Sequence, residues 1–214
     1  YNIYGEKCLK IDKYAKEYVK ANLELGILAL DEEKYETAIS YFNKCYSYPL
    51  NLGEGKLDGC VENHINYYMG LAYSKLGNSE IAKYYFSLGS IGLNKVSSQM
   101  FYNDQPSDSI FYCGLSLLAL GENERAQHKF NLLKEYYENH LNDKCKIDYF
   151  AVSLPNYLIF ENDLNYENIT YCLYLYGLYL ISKNHILQAK DVLANVLKRS
   201  PEFNSLFNIR KFLV

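Results

Sequence analysis

Four stretches of the chain repeat the same three residues at the same distances, and no other feature restricts the fold as much. A glycine is followed twelve residues later by an alanine, and four residues after that by a large apolar residue. The sets are Gly26, Ala38, Phe42; Gly70, Ala82, Phe86; Gly114, Ala126, Phe130; and Gly177, Ala189, Leu193. Each glycine stands in an apolar stretch of helical period, such as Tyr67, Met69, Leu71, Tyr73 and Leu76. Glycine inside a helix costs about 1 kcal/mol relative to alanine, so the position needs a reason. Close approach of a partner helix supplies one, because no side chain then separates the backbones. The alanine is the matching small residue of the second helix, and the Phe one turn later fills the space beside it. Turn-forming residues lie between: Asp31-Glu32-Glu33-Lys34, Gly77-Asn78, Gly121-Glu122-Asn123 and Lys183-Asn184. The spacing predicts four pairs of antiparallel helices.

This pattern resembles that of tetratricopeptide repeats, in which Gly, Ala and Phe fall at these relative positions of a unit of about 34 residues, often closed by a Pro. Pro201 stands twelve residues after Ala189, where that Pro is expected, and Pro49 stands one residue early after Ala38. The chain departs from the family where Leu193 replaces Phe and in having no Trp. Gly26 to Gly70 and Gly70 to Gly114 are each 44 residues, and Gly114 to Gly177 is 63. Insertions therefore interrupt the units. The resemblance implies an all-α, right-handed solenoid of about four helix pairs over 20–214, after a lead helix or partial repeat over 1–19. Its repeats are expected at about 19–50, 63–95, 107–139 and 170–202, with an insertion at about 140–168 and a C-terminal helix near Pro201–Phe212.

The first insertion, Leu50 to Gly59, is glycine-rich and reads as a tight linker. It fails the phosphate-loop spacing, and Leu57 stands where a hydroxyl is required. The second, Ser90 to Pro106, is a polar connection, with Ser107 or Asp108 placed to cap the next helix. The third, Ile147 to Asn165, is apolar enough to require burial against the array, and Pro155 breaks any helix near Ser153. The segments NLGEGK and IDYFAVSLPNYLIFENDLN resemble the C-terminal repeat region of large bacterial multidomain proteins. The N-terminal domain of those proteins, of unknown function, is associated with carbohydrate-active β-sandwiches. That likeness covers about 20–200 and implies an accessory helical domain of a carbohydrate-active enzyme as the alternative to a free interaction module. Residue 1 is Tyr rather than Met, which suggests a piece of a longer chain.

The family resemblance also implies which residues line the concave face of the first helices. Three before each glycine stand Leu23, Tyr67, Phe111 and Tyr174; one after stand Ile27, Leu71, Leu115 and Leu178; six before stand Lys20, His64, Asp108 and Tyr171. A grip on a peptide's terminal carboxylate would need Lys and Asn there, and aromatic and aliphatic residues stand there instead. An open apolar groove of that size invites aggregation, so a cover is expected. The third insertion or another domain of the parent chain is favoured over a second copy or a hydrophobic peptide, because tethered segments act at high effective concentration.

Charge and chemistry narrow the function further. With 22 Lys+Arg against 25 Asp+Glu, the net charge of −3 offers no basic track for nucleic acid. The most apolar stretch, Cys172 to Ile181, is about half of what a membrane helix needs. Cys8, Cys45, Cys60, Cys113, Cys145 and Cys172 form no C-x-x-C pair and suit buried thiols in a reducing, cytoplasmic compartment. His64, His128, His140 and His185 include no i,i+4 pair. A metal site from His128, His140 and Cys145 with Asp143 or Asp148 rests on loose spacing, and neither a metal nor a cofactor is expected. Asp148, Glu161 and Asp163 are carboxylates of the kind used in glycoside hydrolysis, but Asp163 or Asn165 is better placed to cap a helix beginning near Asn168. No catalytic residue is assigned. The expected role is non-catalytic: docking of a protein, a peptide or another domain of the parent chain, or pairing with a second copy.

Of the 24 tyrosines, Tyr67 and Tyr174 fall on the groove and Tyr73 between paired helices, while Tyr41, Tyr84 and Tyr85 lie on second helices. Most are expected to be packing residues.

Overall fold

A computed structural model describes residues 2–52, 55–56, 62–96, 106–144, 163–201 and 203–213. Every regular element among them is helical. The α-helices are α1 (Asn2–Asp31), α2 (Tyr35–Lys44), α3 (Asn63–Lys75), α4 (Ser79–Gly89), α5 (Ser109–Ala119), α6 (Asn123–His140), α7 (Leu164–Ser182) and α8 (Ile186–Arg199). Two 3-10 segments, Leu50–Leu52 and Asn204–Leu213, complete the set.

The chain divides into two compact units, Tyr1–Gly89 and Ser90–Val214. In the first, α1 packs on α2, α2 on α3 and α3 on α4. In the second, α5 packs on α6, α6 on α7 and α7 on α8, and α5 also touches α7. Helix α1 runs through residue 19 without a break, so the lead segment and the first repeat helix are one rod. Helix α7 starts at Leu164, inside the range assigned to the insertion. Asp163 sets that start: its Oδ1 accepts from the backbone N–H of Asn165 at 3.0 Å and of Tyr166 at 3.2 Å.

Each glycine of the repeat faces the large apolar residue sixteen positions on. A Cβ at Gly26, Gly70, Gly114 or Gly177 would lie under 3.0 Å from Phe42, Phe86, Phe130 or Leu193 respectively. The spacing had suggested the alanine as the partner. The larger side chain lies against the glycine because the bare backbone leaves a hollow that a ring or a leucine fills. Ala38, Ala126 and Ala189 are fully buried and Ala82 nearly so.

The turns obey the same register. Seven residues after each glycine the backbone turns left-handed, at Glu33 (φ 59°), Gly77 (79°), Gly121 (82°) and Asn184 (59°). The next N–H then closes onto a carbonyl five residues back. These bonds are Lys34 to Ala29 at 2.8 Å, and Asn78 to Tyr73, Glu122 to Leu117 and His185 to Leu180, each at 2.9 Å. This is the closure of a Schellman turn. A side chain in this conformation is strained, and Glu33 is exposed with φ 59°. Glu33→Gly should therefore raise the stability of the first unit by about 0.5–1 kcal/mol, and Gly77→Ala should lower it by about 1 kcal/mol. Urea titrations of the two variants check the pair of signs.

Two lysines hold the connections between pairs. Lys56, from the first insertion, donates from Nζ to the Cys45 carbonyl at 2.8 Å and pairs with Glu62 at 2.5 Å. Lys129 on α6, only 7% exposed, donates to the Leu93 carbonyl at 2.6 Å and to Asn94 Oδ1 at 2.8 Å. Burial lowers its pKa from the ordinary lysine value. Most of the second insertion and residues 145–162 of the third lie outside the described residues. Arg199 ties the end of α8 to the start of α7. Its guanidinium sits 3.7 Å above the Tyr166 ring, and Nε donates to Thr170 Oγ1 at 2.9 Å.

Candidate functional site: the apolar face of the second unit

Helices α5 and α7 bring four of the expected groove positions together. Asp108 stands at the N-cap of α5 but makes no side-chain cap bond. Its Oδ2 accepts instead from the Tyr174 hydroxyl of α7 at 3.0 Å. Tyr171, one turn before Tyr174, bonds Ser107 through its side chain, and burial pushes its hydroxyl above the ordinary tyrosine value. Its ring meets Tyr136 edge-on at 6.0 Å. Phe111 lies in the first turn of α5, fully buried, with its ring 6.1 Å from Phe130. The polar pairs hold the two helices in register, and the aromatic rings form the floor.

The C-terminal segment packs against α8 and sets two rings on that floor. Phe203 meets Tyr174 with ring centroids 4.8 Å apart, and Phe212 meets Phe111 edge-on at 5.5 Å. Between them Leu206 is 7% exposed and Ile209 is fully buried. Phe203, Leu206, Ile209 and Phe212 recur every third residue, which is the period of a 3-10 helix. The segment was expected to be an ordinary helix near Pro201–Phe212. A three-residue period places all four side chains on one side only in the tighter helix, which is the form seen. This triplet spacing was available in the sequence and is the signal that would have marked the segment as an occupant of the face.

Phe111, Tyr174 and Leu178 are buried and Leu115, Asp108 and Tyr171 are half-buried, and the C-terminal segment covers Phe111 and Tyr174. The positions in the first unit are also withdrawn from solvent. Leu23 and Ile27 are buried, and Lys20, His64, Tyr67 and Leu71 are half-buried. Lys20 pairs with Glu17 at 3.9 Å. The Tyr67 ring lies 5.2 Å from Tyr68 and 6.2 Å from Phe86, and burial pushes its hydroxyl up to about 12. His64 is lowered to about 4, first by burial and then by the nearby Lys56 charge.

Tyrosines elsewhere stack on one another. Tyr73 and Tyr85 lie parallel at 5.6 Å between α3 and α4, and Tyr137 and Tyr176 at 4.2 Å between α6 and α7. Tyr84 meets Tyr85 edge-on while remaining 60% exposed.

The residues weighed for chemistry are separated or otherwise engaged. His140 pairs with Asp143 at 2.7 Å near the end of α6. Asp163 is a helix cap, and Cys145, Asp148 and Glu161 lie outside the described residues. Among the described residues, no three His, Cys, Asp or Glu side chains are grouped to hold a metal, and no helix is long and apolar enough to cross a membrane. Cys45, Cys113 and Cys172 are buried free thiols, and burial pushes Cys45 up to about 12. A thiol so shifted is a weak nucleophile. The side chains of Cys8 and Cys60 lie outside the described parts.

No protein-family model matches the chain, and no solved structure matches it.

Proposed function

We propose that the chain is a non-catalytic docking module, built from tetratricopeptide-like helix pairs stacked as a right-handed solenoid, whose inner face holds an apolar segment of protein. The observation that carries this reading is the seating of Phe203 on Tyr174 and of Phe212 on Phe111. A floor of rings braced by the Asp108–Tyr174 bond is suited to side-chain recognition, and it takes an apolar helical segment along its length. The partner is a protein or peptide segment, from the parent chain or from outside it. The buried thiols Cys45, Cys113 and Cys172 suit a reducing, cytoplasmic setting.

Releasing the occupant tests the reading. Ile209 is fully buried, so Ile209→Asp in the full chain places a charge where it cannot be solvated and frees the segment. The variant should keep its helical circular dichroism, bind an apolar dye that the parent chain does not, and take up a labelled peptide of residues 201–214 at micromolar concentration. A folded variant that binds neither dye nor peptide would overturn the reading.

A further inference from the structure

We infer that the α5–α7 face selects partner segments whose large apolar residues recur every third position, and that the C-terminal segment is a resident competitor for that partner. The inference rests on the docking reading and specifies its ligand. An α-helix has 3.6 residues per turn, so a residue nine positions on projects from about the opposite side. A 3-10 helix has 3.0 residues per turn, and the ninth residue on returns to the same side. Phe203 and Phe212 are nine positions apart and both rest on the face, one on α7 and the other on α5. Leu206 and Ile209, at the intervening thirds, are buried as well. At a rise of about 2.0 Å per residue, the row spans about 18 Å.

The face, rather than the segment, imposes this conformation. Runs of 3-10 helix beyond three or four residues are uncommon because their hydrogen bonds are poorly aligned, whereas this one extends from Asn204 to Leu213. A segment with little preference for its own conformation is held by its contacts. Its attachment is simple: Ser200 is extended (φ −139°, ψ 92°) and Pro201 follows, so α8 cannot continue into it. The segment therefore hangs from a short hinge and gains its affinity from tethering, at an effective concentration of about millimolar. An untethered segment with the same apolar period makes the same contacts and replaces it when its own concentration or contacts suffice.

Two peptides of identical composition test the inference on the full chain carrying Ile209→Asp. One has the sequence of residues 201–214. In the other, the same residues are permuted so that Phe, Leu, Ile and Phe stand at the α-helical positions i, i+4, i+7 and i+11. The triplet peptide should bind at least tenfold more tightly by fluorescence anisotropy. The same ratio should appear on the parent chain at higher peptide concentration, which guards against a variant weakened in its fold. Equal affinities, or tighter binding of the α-register peptide, would overturn the selection while leaving the docking reading intact. Absence of binding by both peptides would remove the docking reading and this inference together.

Discussion

Phe130→Ala costs the second unit about 3–5 kcal/mol, and in that background Gly114→Ala changes from harmful to helpful. The ring is fully buried between α5 and α6, against Gly114 and Phe111. Its removal leaves a hollow directly over the bare backbone of Gly114. In the parent chain a Cβ at Gly114 would meet Phe130 Cζ at 2.6 Å and Cδ1 at 2.8 Å. The overpacking that results costs about 1–3 kcal/mol, and it outweighs the gain of about 1 kcal/mol that alanine brings to a helix interior. With Phe130 already truncated the clash is gone and only the helical preference remains. Gly114→Ala alone should therefore destabilise by up to about 2 kcal/mol, whereas added to Phe130→Ala it should stabilise by up to about 1 kcal/mol. A double-mutant cycle by urea titration measures the coupling. Additive effects would mean that glycine and ring do not share one space.

The fixed interval from glycine to Phe was legible in the sequence, because each is a residue type with few other reasons to recur at one spacing inside helices, but the alanine rather than the ring was expected against the glycine. The turn was legible for the same reason at Gly77 and Gly121, where glycine marks the left-handed residue. It was less so at Glu33, whose side chain gives no hint of φ 59°. Lys56 and Lys129 carried no signal at all. Their main acceptors include the backbone carbonyls of Cys45 and Leu93, and a carbonyl has no signature in the residue that bears it. The candidate face was half legible. Phe111 and Tyr174 were placed by register on the glycines, but their cover was sought in the third insertion and in other domains. The row from Phe203 to Phe212 has a period of three, which does not form one stripe at the 3.6-residue period of an α-helix. The start of α7 was legible as a cap but not as a boundary: Asp163 was a candidate cap for a helix beginning near Asn168, whereas its bonds to Asn165 and Tyr166 place the start at Leu164.

Lowering the pH from 7.5 to 5 should cost the first unit about 2 kcal/mol through His64 alone. In the fold this imidazole titrates at about 4 instead of 6.5, chiefly because burial on α3 disfavours the charged ring and secondarily because Lys56 is close. Above pH 6.5 the ring is neutral in folded and unfolded chains, and the group is without effect on the balance. As the pH falls below 6.5 the unfolded chain takes up a proton that the folded chain refuses. The fold is then disfavoured progressively until the native ring also titrates near 4, where the loss levels off at about 3 kcal/mol. His64 keeps part of its surface in contact with solvent, which makes this plateau an upper value. His64→Gln removes the titration and should flatten the stability profile between pH 7 and pH 5, the window above most carboxylates. Lys56→Gln should flatten it only slightly, since it leaves the larger cause, burial, in place. Urea midpoints followed by circular dichroism at half-unit steps of pH separate these outcomes, and an equally steep profile in the His64→Gln chain would remove His64 as the source.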